Sequence, residues 1–337
     1  MKDIIKKLVN KEELSREEIQ KAVVCITKQE VSEAQIGAFL VAFTEKGTTK
    51  EEFFELASAM RKFSNRIILE DYVVDSCGTG ADMAGTINVS TASAIVANTC
   101  GVKVLKQTNS AITSCCGSTD LLSEFGINIA RIPQDAKNYF HKNKISFVHS
   151  PYFNDFARIN NPIRKQIGIK TIFNYLGPLI NPAFPNAQLL GVSSIEMCEK
   201  MIYALQQLKT DRAFVVSGYR PNIDEISICS KTLVFELKNG EISKFEVSPE
   251  DFGYKTVDIC EIKGGNAKEN AQIISDIFCG KIKGAKKDII CMNAGAMIYL
   301  AGIKETLLEG TKLAEEVIEK GLVYENLKKL RGIKVEC

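Results

Sequence analysis

The stretch 72–91, YVVDSCGTGADMAGTINVST, contains the pattern that decides the fold. A short apolar run leads into a glycine-rich loop, and a helix of small residues, STASAIVANTC, begins at Ser90. Glycines let a backbone approach a phosphate closely, and a helix start offers unpaired N–H groups and the positive end of its dipole. The loop fits neither G-x-G-x-x-G nor G-x-x-x-x-G-K-[ST]. Because Asn88, Ser90 and Thr91 add polar side chains there, the stretch predicts a phosphate-binding strand–loop–helix unit, with a purely structural turn as the alternative.

Two further segments carry chemistry that suits a phosphorylated substrate. Residues 106–120, KQTNSAITSCCGSTD, are predicted as a polar loop after the next strand, and one lysine with many hydroxyls can hold an oxyanion. Asp224 and Glu225 follow the apolar run AFVVSG. Adjacent carboxylates at a strand end suit Mg²⁺, which takes few protein ligands besides substrate phosphates. Either segment alone could be ordinary surface, and together they predict a site.

Composition excludes several classes of protein. The 337 residues include 43 Lys+Arg and 41 Asp+Glu, which gives a net charge of +2 without a basic block, so general nucleic-acid binding is disfavoured. No apolar run reaches the ~18 residues of a membrane span, and the start MKDIIKKLVNKEEL lacks a secretory signal's apolar stretch. We therefore expect a cytoplasmic protein whose 11 cysteines are reduced and mostly buried. With only 2 histidines, the usual general base is missing from most of the chain.

The pattern of apolar residues changes near Tyr72. Before it, helices alone are predicted, with caps at Ser15 and Ser32, and after it short apolar runs alternate with helical segments. Asn239-Gly240 predicts an antiparallel hairpin within 226–247, and helices return from 266 to 330. The predicted fold is α/β, with a small N-terminal all-helical domain (1–66, joined by part of 155–185) and a large α/β domain (67–337) around a mainly parallel sheet. The predicted strands cover 72–77, 102–106, 145–149, 187–192 and 213–218.

Taken together, these segments resemble the anthranilate phosphoribosyltransferase family, which is related in fold to the pyrimidine nucleoside phosphorylases. GTGAD at 78–82 with TINVST at 86–91 is similar to the family's diphosphate-binding signature. Residues 106–120 resemble its second loop, 164–182 its acceptor-site helix and turn, and NAGA at 293–296 its late helix. Collinear matches extend over nearly the whole chain.

The resemblance implies transfer of the 5-phosphoribosyl group from 5-phosphoribosyl 1-diphosphate (PRPP) to the nitrogen of an aromatic acceptor, with release of diphosphate. The first expectation for the acceptor is anthranilate, in tryptophan biosynthesis, and a Mg²⁺-dependent homodimer formed through the helical domain is implied. Displacement at an anomeric carbon develops oxocarbenium character, so the main demands are neutralising the leaving diphosphate and aligning the nucleophile. A chain with few histidines is compatible with that chemistry.

The resemblance also implies roles for individual residues. Lys106, Asn109 and Arg164 are the predicted catalytic residues, with Arg164 the partner of an acceptor carboxylate. Ser90, Asp224 and Glu225 would hold the metal ions, and Gly78, Asn109, Arg164 and Pro178 would lie at the acceptor. The residues predicted around PRPP are Gly78, Ala81, Asp82, Thr86, Asn88, Val89, Ser90, Thr91, Lys106, Asn109, Ser114 and Ser118.

Departures from the family pattern are concentrated on the acceptor side. Gln107, Thr108 and Ser110 replace a His, a Gly and an Arg, FND at 153–155 replaces His-Pro-Ala, and Ala81 replaces a Gly. Sequence drift within an anthranilate enzyme could produce these changes, and so could a different aromatic or heterocyclic acceptor. The chain could also be a nucleoside phosphorylase or a non-catalytic relative that binds nucleic acid. The metal pair disfavours the phosphorylase, and the near-neutral charge with an intact loop disfavours the nucleic-acid-binding relative.

Overall fold

The computed structural model describes residues 1–80, 84–109 and 116–331, and the chain begins with a bundle of helices. The bundle helices are α1 (Lys2–Val9), α2 (Arg16–Thr27), α3 (Glu33–Lys46) and α4 (Lys50–Arg61). Ser15 and Ser32 cap α2 and α3 as predicted, each in a reciprocal capping box, and Thr49 caps α4 in the same way. Gly47, at φ +79°, ends α3. Local capping chemistry therefore sets the starts of α2, α3 and α4.

The rest of the chain surrounds a seven-stranded sheet with the order β3-β2-β1-β4-β5-β6-β7. Strands β1 to β5 run parallel, and β6 and β7 form the antiparallel hairpin predicted from Asn239-Gly240. The predicted α/β fold class is confirmed. The strands are β1 (Val74–Gly78), β2 (Val104–Thr108), β3 (Ile145–His149), β4 (Ala187–Gly191), β5 (Arg212–Gly218), β6 (Thr232–Lys238) and β7 (Glu241–Val247).

One predicted boundary is wrong in an informative way. The sequence ended this strand at Lys106 and placed Gln107 and Thr108 in a polar loop, but both belong to β2, and all three residues are buried. Lys106 pairs in register with Phe147 and Thr108 with His149 on β3. Because β2 lies between two other strands, backbone pairing outweighs the polarity of these side chains. The residues that carry charge and amide groups are therefore held on a rigid strand.

Helices cover both faces of the sheet, and alternate residues of the strands divide the core into two halves. Leu189 and Phe214 belong to one core with α5 and α11, whereas Leu190 and Val215 belong to the core shared with α9 and the bundle. This alternation is the period-two pattern of strands buried on both faces. These helices are α5 (Val89–Thr99), α6 (Ser118–Glu124), α7 (Pro133–Asn143), α8 (Asp155–Ile167), α9 (Ile195–Gln207), α10 (Ala267–Phe278), α11 (Ala285–Leu300), α12 (Leu307–Glu319) and α13 (Leu322–Arg331).

Helix α8 returns from the sheet to the bundle and packs against α2 and α3. Its Phe156 and Ile163 share the bundle core with Phe39 and Phe43. This packing supports the proposed division into 1–66 with part of 155–185 and 67–337, whose boundaries stay a prediction. None of the helices in the described ranges is both long and apolar enough to span a lipid bilayer.

The sheet order places a crevice at the end of β1. The chain passes from β1 outward through β2 to β3, then returns to the other side of β1 for β4 and β5. Loops leaving the carboxyl ends of strands diverge at such a reversal, and ligands bind in the resulting crevice. At this point Gly78 of β1 pairs with Gly191 of β4.

Candidate functional site

A cavity of about 300 Å³ lies at this crevice, between the sheet and the bundle. One side, here called the sheet wall, consists of the ends of β1 and β2, the start of α5 and the loop after β5. The opposite side, the bundle wall, consists of the end of α4, the helix α8 and the turns after it. Its lining residues are Met60, Phe156, Ala157, Asn160, Asn161, Arg164, Phe173, Asn174, Gly177 and Ile180.

The glycine-rich loop of the sheet wall is anchored at its described ends. Thr79 N donates to Gly191 O at 3.0 Å, and Gly80 N donates to Asp224 Oδ2 at 2.6 Å. Gly80 has φ +67°, which an L side chain rarely adopts. The buried Thr79 Oγ1 has no hydrogen-bond partner among the described residues, although it lines the cavity.

Asp224 and Glu225 are buried in the loop after β5, and both carboxylates face the glycine-rich unit. Glu225 Oε1 accepts from Ser90 N at 3.1 Å, at the start of α5. A Cβ added at Gly78 would lie 2.7 Å from Asp224 Oδ2, so only glycine leaves room for this carboxylate. The two carboxylates therefore contact both the glycine-rich loop and the start of α5.

Lys106 is 1% exposed, and its ammonium reaches the same point from β2. Its Nζ donates to Ser76 O and, at 3.2 Å, to Ser90 Oγ. These contacts connect the predicted cation to the predicted metal-ligand hydroxyl. Among the described residues lining the cavity there are two cations, Lys106 and Arg164, against two carboxylates. Binding a polyanion there requires further positive charge. The carboxylate and hydroxyl oxygens of Asp224, Glu225 and Ser90 are ligands that suit Mg²⁺.

Asn88 joins the start of α5 to two other parts of the cavity wall. Its Nδ2 donates to Cys116 O at 3.2 Å, and its Oδ1 accepts from Asn270 Nδ2 at 3.0 Å. Asn270, together with Gly264 and Gly265, forms a part of the wall that sequence reasoning missed. The sequence signal that could have identified this part of the wall is the pair of adjacent glycines immediately before a helix cap. The glycine-rich loop after β1 likewise precedes a helix.

The bundle wall presents one guanidinium among aromatic and amide groups. Arg164 Nη1 donates to Asn161 Oδ1 at 3.3 Å, and no carboxylate within the described ranges forms an ion pair with it. Burial lowers the pKa of Arg164, since the charged form loses solvation. Phe156 and Phe173 stack with ring centroids 5.9 Å apart. A planar aromatic ring that carries a carboxylate matches this combination of groups.

The turn Gly177–Ile180 is fixed by three side chains that approach successive carbonyls. Gln107 Nε2 donates to Gly177 O at 3.0 Å, Gln188 Nε2 to Pro178 O at 3.0 Å, and Arg61 Nε to Leu179 O at 2.6 Å. Gln107 Nε2 also donates to Ser150 Oγ at 2.9 Å. Gln107 therefore ties the sheet wall to the bundle wall.

The structure brings most of the predicted site residues together. Pro178 is the exception among those described, because it is buried in its turn and does not line the cavity. Ala81, Asp82 and Ser114 lie outside the described residues, as do Ser110 and Cys115. The predicted residues that line the cavity are Gly78, Thr86, Asn88, Val89, Ser90, Thr91, Lys106, Asn109, Ser118, Arg164, Asp224 and Glu225.

The divergent residues 153–155 do not line the cavity, and their contacts stabilise the fold around it. Asn154 caps α8 by accepting from Ala157 N at 3.0 Å, and it donates to Met60 O at 2.8 Å. Phe153 is buried in a separate core, and Asp155 pairs with Arg158 at the surface. Thr108 donates to Val148 O, so Gln107 is the one divergent residue in the described ranges that lines the cavity.

The two described cysteines at the cavity are protonated thiols at neutral pH. Burial raises the pKa of Cys77 to about 12, and it also raises the pKa of Cys116. A thiol is a poor nucleophile compared with its thiolate. The chemistry of the site is therefore carried by charge, hydrogen bonds and shape.

Two family models match this combination of a helical bundle and an α/β domain. Residues 2–64 match the helical bundle domain of the glycosyl transferase family, and residues 70–324 match the a/b domain of the same family. The fold and the site thus define a two-domain glycosyl transferase.

Individual relatives narrow the class. The chain is 40% identical over 327 residues to the anthranilate phosphoribosyltransferase of Desulfosudis oleivorans, covering 97% of this chain and 96% of that one. It matches the crystal structure of the Thermus thermophilus enzyme of that name with a TM-score of 0.90 and 33% identity, covering 98% of each chain. The Saccharomyces cerevisiae enzyme in complex with PRPP and Mg gives a TM-score of 0.89 at 28% identity, over 97% of this chain and 96% of that one. The chain belongs to the anthranilate phosphoribosyltransferase family, and the resemblance seen in the sequence is confirmed.

Proposed function

We propose that this protein transfers the 5-phosphoribosyl group of PRPP to the amino nitrogen of anthranilate, as a step of tryptophan biosynthesis. The C1–O bond to diphosphate breaks, a C1–N bond forms, and the amine nitrogen loses a proton to solvent. One observation carries the proposal: a single cavity has a buried lysine, a helix start and two carboxylates on the sheet wall, and a guanidinium among aromatic rings on the bundle wall. Both substrates would therefore meet in it.

The sheet wall would bind and orient PRPP. Lys106 and the polar side chains at the start of α5 are positioned for the leaving diphosphate, whose growing charge Lys106 stabilises. Ser90, Asp224 and Glu225 would hold Mg²⁺. When bound, the metal would neutralise diphosphate charge as a Lewis acid. The yeast relative's complex with PRPP and Mg supports this part of the proposal.

The bundle wall would align the nucleophile. Arg164 would bind the carboxylate of the acceptor, and Phe156 and Phe173 would pack near its ring. An aromatic amine attacks through its lone pair, so alignment contributes more than deprotonation. Consistently, no histidine is among the cavity-lining residues that the structure describes.

A PRPP assay across possible acceptors tests the proposal. We expect Mg²⁺-dependent release of diphosphate with anthranilate and a product whose mass is that of ribosylated anthranilate. Other aminobenzoates, phenols and nucleobases are tested beside it, because Gln107 in the cavity wall favours an altered acceptor as the second candidate. If PRPP does not bind by calorimetry with Mg²⁺, the transferase proposal is wrong. Phosphorolysis of nucleosides would favour a phosphorylase instead.

The proposal includes a homodimer formed through the helical domain. A mainly apolar groove on α1 and α3 supports it, with Val9 66% exposed; its lining residues are Ile5, Leu8, Val9, Ala38, Val41 and Ala42, together with the charged Lys11 and Glu45. We expect Val9→Glu to convert dimer to monomer in sedimentation experiments, and an unchanged sedimentation coefficient would place the interface elsewhere. The cytoplasmic location predicted from the sequence stays a prediction.

A further inference from the structure

The loop that carries Asp224 and Glu225 is hydrogen-bonded to a side chain in the core of the α/β domain. Asn293 lies in the middle of α11 and is fully buried. Its Oδ1 accepts from Ile226 N at 3.0 Å, and its Nδ2 donates to Ile226 O at 3.0 Å. One side chain thus satisfies both polar backbone groups of the residue that follows the carboxylate pair.

The orientation of the Asn293 amide is fixed by its own helix. Nδ2 donates to Ile289 O at 2.9 Å, one turn earlier in α11. Because only the amide nitrogen can donate a hydrogen bond to a carbonyl, this contact leaves Oδ1 to accept from the N–H of Ile226. Exchange of the two amide atoms would break all three bonds.

The same loop is confined on its other side by β4. A Cβ added at Gly191 would lie 1.5 Å from Asp224 O and 2.2 Å from Asp224 C. The backbone of the carboxylate pair therefore lies between a glycine of the sheet and the amide of Asn293. The position of this backbone is therefore fixed from two sides before any ligand is bound.

We propose that Asn293 is a positioning residue for the metal–diphosphate site. The proposal rests on the function proposed above and adds a residue remote from the cavity wall. By binding the backbone of Ile226, Asn293 fixes the positions of Asp224 and Glu225. It thereby sets the affinity for PRPP in its magnesium complex without contacting PRPP or the metal.

The test compares Asn293→Leu with Ser93→Ala. Ser93 Oγ donates to Ile290 O at 3.0 Å, so its loss removes a buried hydrogen bond to the same helix while leaving Ile226 untouched. We expect Asn293→Leu to weaken PRPP binding in MgCl₂ about tenfold or more in calorimetry, but PRPP binding in EDTA less than threefold. Ser93→Ala should change neither. Asn293→Ser provides the same comparison if the leucine variant does not fold.

A double variant separates positioning from general loosening of the fold. In an Asp224→Asn background, Asn293→Leu should cause little further loss of affinity, because the metal ligand it positions is already gone. Equal losses with and without Mg²⁺, or additive losses in the double variant, would overturn the proposal. Failure of the wild-type chain to bind PRPP with Mg²⁺ would overturn the proposed function instead, so the two failures are distinguishable.

Discussion

The sheet wall and the bundle wall of the cavity are built in different ways. The sheet wall presents polar and charged side chains from strand ends and a helix start, closely confined by glycines at 78 and 191. The bundle wall presents long side chains from α8 and a turn whose carbonyls are held by Gln107, Gln188 and Arg61. The first arrangement leaves little freedom for substitution, whereas the second can be altered one side chain at a time. A common donor with a variable acceptor is expected from such a division.

The largest effect is expected on the sheet wall, at Lys106. Lys106→Met removes a buried cation next to Ser90 and should lower kcat by about 10²- to 10³-fold, because the leaving diphosphate loses charge stabilisation. Steady-state kinetics at saturating PRPP and anthranilate measure it. Lys268→Met, at an exposed position, is the control. A loss below tenfold would mean that other groups carry the diphosphate charge.

Two glycine substitutions compare the walls directly. Gly191→Ala would place a Cβ against the Asp224 carbonyl, so the carboxylate pair must move, and we expect PRPP affinity with Mg²⁺ to fall about 10²-fold. Gly177→Ala on the bundle wall meets nothing within 4 Å, and PRPP affinity should change less than threefold. Calorimetric titration with PRPP in MgCl₂ measures both. Similar losses in the two variants would contradict the difference drawn between the walls.

Substitution of Arg164 tests whether the bundle wall binds the acceptor through a positive charge. Arg164→Ala should raise the KM for anthranilate about 30-fold, since a hydrogen bond to a charged partner contributes about 2 kcal/mol. PRPP binding should be spared, because the guanidinium lies on the opposite wall. The exposed Lys165 on the same helix gives the control Lys165→Ala. Unchanged turnover at low anthranilate concentration would remove Arg164 from its proposed role.

Sequence reasoning succeeded where local chemistry determines structure. The capping boxes at Ser15 and Ser32, the hairpin at Asn239-Gly240 and the glycine-rich unit before α5 depend on neighbouring residues, so they can be read from short segments. The sheet wall could be predicted for the same reason. Its loops leave strand ends that parallel pairing brings together.

Contacts between distant segments could not be read in this way. Asn270 reaches Asn88 over 182 positions, and Gln107 reaches Gly177 over 70. Gln107 and Thr108 resembled loop residues because their polarity gives no sign of a buried strand. Residues 153–155 were read as part of the acceptor side, but capping and core packing explain Phe153 and Asn154 without a ligand.

The smallest effect is expected at Gln107, the side chain that joins the two walls. Gln107→Met keeps the volume but removes the hydrogen bonds to Ser150 Oγ and Gly177 O, so the turn on the bundle wall loses one of its three attachments. A neutral hydrogen bond contributes about 1 kcal/mol, and we expect the KM for the acceptor to rise about fivefold with kcat and PRPP affinity nearly unchanged. Gln188→Met is the matched control, because it frees the next carbonyl, Pro178 O, from a residue that does not line the cavity. It should lower the melting temperature without changing the KM. If both variants change the KM equally, the turn acts as one unit, and Gln107 has no separate influence on the choice of acceptor.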